Sequence, residues 1–436
     1  MKEQCVITES GIPVYSYVNP YLHSFCLCLY VKAGAIYESE SENGITHFFE
    51  HLAIRNIDCA MNGGLYPLLD RLGLSLGGAT YKEFVQFSIS GAQAHWQEAV
   101  ELFCRLFDPI CLSEREIAIE RKRIKAEIRE CDNPVTIARK TEVKVWKETS
   151  LENRITGKRK ALDQIGRPRL EQFRTEFFSK ENLFFYVTGC VDEEQMNLLK
   201  ERLDRCQFFS GAPLRTNHAP WPEAFFHRNG MPRFYQAKST EVSFAYDVDT
   251  SRYSEAALCL FYNLLFTGDY CPVYQELSEK TGYIYSYDEL FERYKNLGSL
   301  QLNYEVAPGK LLRAVKRTLE IFERMKTDPG SLAYVRAIYL DNGEMELDDA
   351  DSFNWNRAYD CHILDVDYPD IEAKKEEFLR VTEEQMSEMA REIFRPENRT
   401  VIVRGDLKHL PKKKLRRLLK EGVYECMHGT AGSKNV

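Results

Sequence analysis

Histidine is scarce in this chain, nine in 436 residues, and no apolar stretch approaches the ~18 residues of a membrane span. No membrane partner is therefore expected. The opening MKEQCVITES lacks the apolar core of a secretory signal. Positive charge is not in excess either: 58 Lys and Arg against 66 Asp and Glu leave a net charge of −8. That argues against nucleic acid as a partner, because phosphate recognition needs a broad basic face. Paired cysteine spacing is also missing. Thirteen scattered cysteines suit a reducing cytoplasm better than a disulfide framework. Cys26 and Cys28, in the strand-like run Phe25–Val31, read as buried strand residues. What is present is 44% apolar and 28% charged residues, a globular chain with ample core and length for two domains.

Against that scarcity, His47-Phe48-Phe49-Glu50-His51 stands out. On a helix, residues three and four apart share a face, so His47, Glu50 and His51 fall within one turn. Two neutral imidazoles at this spacing can grip zinc, and the carboxylate between them can reach a water on the metal. The order H-x-x-E-H is the inverse of the H-E-x-x-H zinc-peptidase motif. Ile45, Phe48, Phe49 and Leu52 recur at helical spacing on the opposite side. A helix packed by those residues turns the polar trio toward a cleft.

A catalytic zinc site takes three protein ligands and leaves a place for water. The third is expected between Ser113 and Cys131. Ser113 and Glu116 form an S-x-x-E capping box that starts a helix. Along it Ile117, Glu120, Ile124, Glu127, Ile128 and Cys131 share an arc of about 100°. Glutamates set among isoleucines on a buried face are costly without partners. A metal and a histidine N–H supply them. Glu127 is the expected third ligand, and Glu120 the carboxylate that orients a ligand histidine. Two nitrogens, one oxygen and an open position suit one zinc per chain.

The set His47, Glu50, His51 and Glu127 resembles the insulinase/pitrilysin family of zinc peptidases, which includes the mitochondrial processing peptidase. VKAGAIYES (Val31–Ser39) precedes the motif as a similar strand-to-loop run does in that family, and ERKRIKAEIRE (Glu120–Glu130) resembles its E-R-x-x-x-x-x-E-I helix. By that resemblance His47, His51 and Glu127 bind zinc, Glu50 is the base, and Glu120 supports a ligand.

The chain also repeats itself. Phe178, Glu181, Asn182, Val187 and Gly189 match Phe394, Glu397, Asn398, Val403 and Gly405 at one constant offset near half the chain length. In the preceding helices, Leu170, Phe173 and Phe177 answer to Met386, Met389 and Ile393. Such a period means a duplicated domain. The expected division is a zinc-binding domain over 1–209, a Pro- and Gly-rich linker over 210–231, and a homologous domain without metal over 232–436. Strands and helices without βαβ alternation favour an α+β fold, each domain a mostly antiparallel sheet with helices on one face. The resemblance implies the same, arranged as a clamshell. The helix near Ser254, with Ala256, Leu260, Phe261 and Leu264, reads as core rather than as a metal site. The run Lys408–Lys420 reads as an amphipathic helix with a solvated basic face.

Peptide chemistry also needs an extended substrate pose, most simply an added strand on a sheet edge. GLSLGGATYKEFVQFSISG (Gly73–Gly91) resembles the family's edge strand, with Gly77, Gly78 and Ala79 as substrate contacts and Gly77 where an asparagine usually stands. QELSEKTGYIYS (Gln275–Ser286) resembles its R-x-x-x-x-x-x-Y segment. Tyr285 matches the tyrosine, a donor to the oxyanion, whereas Ser278 replaces the arginine. The leading expectation is a zinc metalloendopeptidase, a cytoplasmic hydrolase acting on unfolded peptides in an enclosed chamber. The alternative is a non-catalytic or partner-dependent subunit, since relatives can split these elements between chains. A homodimer, or a heterodimer with a related subunit, is expected.

Overall fold

In the computed structural model, which describes residues 2–130, 136–211, 225–294, 296–366, 368 and 370–421, the chain divides into two compact units. The first is built on six strands: β1 (Gln4–Ile7), β2 (Pro13–Val18), β3 (Ser24–Val31), β4 (Ser75–Thr80), β5 (Val85–Ala92) and β6 (Leu183–Gly189). Their order is β1-β2-β6-β3-β5-β4, and every neighbouring pair is antiparallel except β2 with β6. β3 alternates as a sheet strand must. Phe25, Leu27, Leu29 and Val31 enter the main core, while Cys26, Cys28 and Tyr30 face the other way and are also buried.

The second unit carries β7 (Pro232–Gln236), β8 (Glu241–Val248), β9 (Tyr287–Tyr294), β10 (Leu297–Glu305) and β11 (Arg399–Gly405). The order is β7-β11-β8-β10-β9, with only β7 and β11 parallel. Leaving β1 aside, the two orders are the same, and β6 and β11 hold equivalent places. The repeated asparagines explain why that segment recurs. Asn182 Nδ2 donates to the Glu176 carbonyl at 3.0 Å and Asn398 Nδ2 to the Ile393 carbonyl at 2.9 Å, each tying a helix end to the central strand that follows. The chain is an α+β protein of two duplicated sheets.

The first core is filled by α1 (Ile45–Ala60), α2 (Leu65–Leu72), α3 (Trp96–Cys104), α4 (Glu114–Glu130) and the helices Arg167–Phe177 and Glu193–Asp204. The second is filled by the helices Glu255–Phe266, Leu311–Met325, Glu383–Ile393 and Lys412–Glu421. In Lys412–Glu421 the apolar stripe is used at home: Leu415 and Leu419 are buried in that core while most of the lysines and arginines stay exposed. Among the described residues no helix is long and apolar enough to cross a membrane.

The expectation of helices on one face only needs correction, because each sheet also carries a helix on its second face. Helix Ala350–Ala358 lies on β3 and β6, and α5 (Ile137–Val145) lies on β8 and β11. The reason is the polarity of those faces. Thr188, Ser243, Ser299, Gln301 and Asn303 are buried and must find hydrogen bonds. Thr141 Oγ1 meets Ser243 Oγ at 2.8 Å, and Asn354 performs the same service on the first sheet. Both covering helices come from distant sequence. Residues 134–147 belong to the second unit and 343–370 to the first, an exchange that a linear division at 1–209 and 232–436 does not contain. Most of the expected 210–231 linker falls on 212–224, outside the described residues.

Candidate metal centre

The geometry begins at the N-terminus of α1. Gly44 adopts a left-handed φ of 105° and ends the preceding loop. Helix N-termini expose unsatisfied N–H groups, and here a buried carboxylate takes them. Glu38 accepts from Gly44 N at 2.7 Å, Thr46 N at 2.9 Å and Asn43 Nδ2 at 2.7 Å. Ile45, Phe48, Phe49 and Leu52 then anchor the helix in the core. That leaves His47 and Glu50 buried and His51 half-buried on the remaining face.

α4 supplies the rest. Its capping box forms as the sequence predicts, with Ser113 N donating to Glu116 Oε2 at 2.7 Å and Glu116 N donating to Ser113 Oγ at 3.3 Å. Ile117, Ile124 and Ile128 pack inward, and Glu120 and Glu127 turn toward α1. His47 Nε2 and His51 Nε2 stand 3.2 Å apart. Glu127 Oε1 is 3.6 Å from the former, and its Oε2 is 3.6 Å from the latter. Among the described residues His47, His51 and Glu127 are the group whose ligand atoms converge enough to hold a metal ion. Tetrahedral zinc with bonds near 2.0–2.1 Å sets ligand nitrogens about 3.3 Å apart, so the donors fit in both type and spacing.

Electrostatics support the same reading. Burial, and then the neighbouring His51 ring, lower the His47 pKa to about 4, which keeps that imidazole neutral for ligation. Burial lowers the basicity of His51, but its hydrogen bond with Glu120 and the charges of Glu50 and Glu127 outweigh this and raise it. Glu120 is 1% exposed and lies 2.9 Å from His51 Nδ1. It therefore holds the proton on Nδ1 and leaves the Nε2 lone pair facing His47 and Glu127. Burial works to raise the Glu120 pKa, yet His51, Arg123 and Arg55 bring it below the usual carboxylate value. Glu120→Ala is expected to weaken zinc affinity about 10–100-fold, measured by competition with a chromogenic chelator. Unchanged affinity would remove Glu120 from the site.

Glu50 sits beside this group. Burial pushes its carboxyl up to about 7, against the pull of His51, a value poised for proton transfer near neutrality. β4 closes over it as the outermost strand of the sheet. A Cβ added at Gly78 would come within 2.3 Å of Glu50 Oε1, so glycine there leaves room for the carboxylate. Thr80 Oγ1 donates to Glu50 Oε2 at 3.5 Å. Gly77, Gly78 and Ala79 thus lie in an edge strand next to Glu50.

The chain's resemblances match this arrangement. Residues 14–159 fit the profile of the insulinase family, peptidase family M16, and residues 164–338 fit the M16 inactive domain. The chain belongs to the M16 family. Among M16 relatives, an uncharacterized zinc protease of Rickettsia bellii is 27% identical over 207 residues, covering 47% of this chain and 50% of that protein. The human mitochondrial-processing peptidase subunit beta is 24% identical over 216 residues, covering 49% and 43%. The matched region spans about half the length of those relatives. A Helicobacter pylori protease shares the fold with a TM-score of 0.80 at 16% identity, covering 93% of this chain and 99% of that one. In M16 terms the metal group lies within the segment matched to the insulinase profile. Tyr285 lies in the other unit and is 94% exposed. Ser278 Oγ donates to the Tyr285 carbonyl at 3.5 Å. Sequence reasoning missed Glu38 and Thr80. Neither follows a helical period, and no local pattern in the sequence singles either of them out.

Proposed function

We propose that this chain is a zinc metalloendopeptidase, and the observation that carries the reading is the convergence of His47, His51 and Glu127 beside Glu50. In this assignment His47, His51 and Glu127 hold one zinc. What zinc supplies at such a site is Lewis acidity toward water and a carbonyl oxygen. Glu50 accepts the proton of the attacking water and returns it to the leaving amide nitrogen. Glu120 keeps His51 oriented throughout. The backbone of Gly77, Gly78 and Ala79 offers hydrogen bonds to an extended peptide laid along β4, and Gly78 keeps that strand close to Glu50. Tyr285 is assigned as an oxyanion donor on the strength of the resemblance. The cysteine content supports a reducing cytoplasm as its compartment.

A second reading rests on Ser278, which stands where the resemblance calls for arginine. Relatives include a peptidase subunit, and a partner supplying that cation would make this chain the zinc-bearing member of a heterodimer. One experiment separates the readings: hydrolysis of a mixed peptide library by the zinc-loaded chain, alone and with a related subunit. Cleavage by the chain alone that stops with 1,10-phenanthroline and returns with added zinc is the expected result. Cleavage only with the partner favours the second reading. No cleavage in either setting overturns both.

A further inference from the structure

Away from the metal group, α3 and the helix Glu193–Asp204 pack against each other in the first unit. Trp96 Nε1 donates to the Gln195 carbonyl at 2.9 Å and fixes their N-terminal ends together. Their C-terminal ends bring Cys104 and Cys206 together. Cys206 Sγ lies 3.9 Å from the Cys104 carbonyl and 3.3 Å from the Arg202 carbonyl. Cys206 is also the neighbour that acts most strongly on the Cys104 thiol. Both are free and half-buried, and both line a surface cavity of about 540 Å³.

The cavity's charge is informative. Arg105, Arg202 and Arg205 line it against Glu101 and Asp108. Arg202 pairs with Glu101 at 3.0 Å, and Arg105 reaches Asp108 only at 3.9 Å. Arg205 is exposed and has no ion-pair partner among the described residues. Reactive cysteines occupy partly exposed, electropositive surroundings of this kind, whereas inert ones are buried among apolar groups. A cavity of this size also falls in the range of small-molecule sites.

We propose that Cys104 and Cys206 form a dithiol site that reacts with an anionic low-molecular-weight disulfide bound in this cavity. Cys206, as thiolate, attacks one sulfur of the incoming disulfide, forming a mixed disulfide and expelling one thiolate. Cys104 loses its proton and attacks Cys206 Sγ, expelling the second thiolate. The balance is two protein thiols and one small disulfide giving one protein disulfide and two small thiols, with no other oxidant. The order of attack follows from the environment: the neighbouring Cys206 sulfur, and then burial, push the Cys104 thiol up. The product ties α3 to the helix Glu193–Asp204 where they already meet.

The test uses the full chain with glutathione disulfide, alkylation of the remaining thiols, and peptide mapping. A reductant-reversible cross-link between Cys104 and Cys206 is the expected result, and Cys104→Ser should retain one glutathione on Cys206. Cystamine, a cationic disulfide, should react about tenfold more slowly, as expected for an electropositive cavity, and Arg205→Gln should narrow that gap. The mapping and the two reagents' rates are read on the unmodified protein and do not depend on the variants folding. Alkylation of both thiols as in untreated protein, modification spread evenly over the other cysteines, or equal rates for both disulfides would each overturn the proposal.

Discussion

Glu50→Gln is expected to leave zinc content unchanged and to lower peptide turnover about 10²–10⁴-fold, the range for a positioned acid–base group. The substitution keeps the shape of the side chain and its contact with Thr80. It removes only the ability to accept a proton from water. Because the metal donors are His47, His51 and Glu127, the metal should remain in place. Steady-state kcat with metal analysis on the same sample checks both halves. Full turnover in the variant would assign the base elsewhere, and lost zinc would make Glu50 a ligand rather than a base.

The second large effect concerns the fold. Asn354 is fully buried, and its amide is saturated. Its Oδ1 accepts from Tyr30 Oη at 3.0 Å, and its Nδ2 donates to the Tyr186 carbonyl at 3.0 Å, Thr188 Oγ1 at 3.1 Å and the Cys26 carbonyl at 3.3 Å. Asn354→Ala takes away the acceptor of the Tyr30 hydroxyl, which keeps only the Gln86 amide as a donor to it, and removes a donor from two strand carbonyls, which costs about 2–4 kcal/mol. The expected readout is faster amide exchange in β3 and β6, with β8 and β11 unchanged, and a lower denaturation midpoint. Unaltered protection of β3 and β6 would mean that the helix Ala350–Ala358 is held by its apolar contacts alone.

The metal group was legible in the sequence because its residues obey a short-range rule. Three polar positions within one turn of α1, opposite four apolar ones, leave little freedom, and Glu120 and Glu127 betrayed themselves by sitting in an isoleucine stripe. The duplication was legible because Asn182 and Asn398 each close the same helix-to-strand junction. What could not be read was long-range. The segment Ala350–Ala358 reads ADSFNWNRA, a weakly patterned stretch whose partner lies in strands far away in sequence. Nothing local says that the second face of either sheet is covered. Glu38 stayed hidden for a related reason: its burial is set by the loop folding back onto α1. The room that Gly78 leaves for Glu50 depends on strand register, which a single sequence does not encode locally.

The exchanged helices bear on how such a chain arises. α5 covers β8 and β11, and the helix Ala350–Ala358 covers the equivalent β3 and β6, so each half of the sequence gives away the helix its own sheet needs. A half-length ancestor would leave a polar sheet face bare as a monomer and cover it by reciprocal swapping between two copies. The present chain has the connectivity that joining such a swapped pair end to end gives. Once both halves shared one polypeptide, each copy of the sheet was present at fixed stoichiometry. The second half contributes none of His47, His51 and Glu127, yet it supplies the helix that covers β3 and β6.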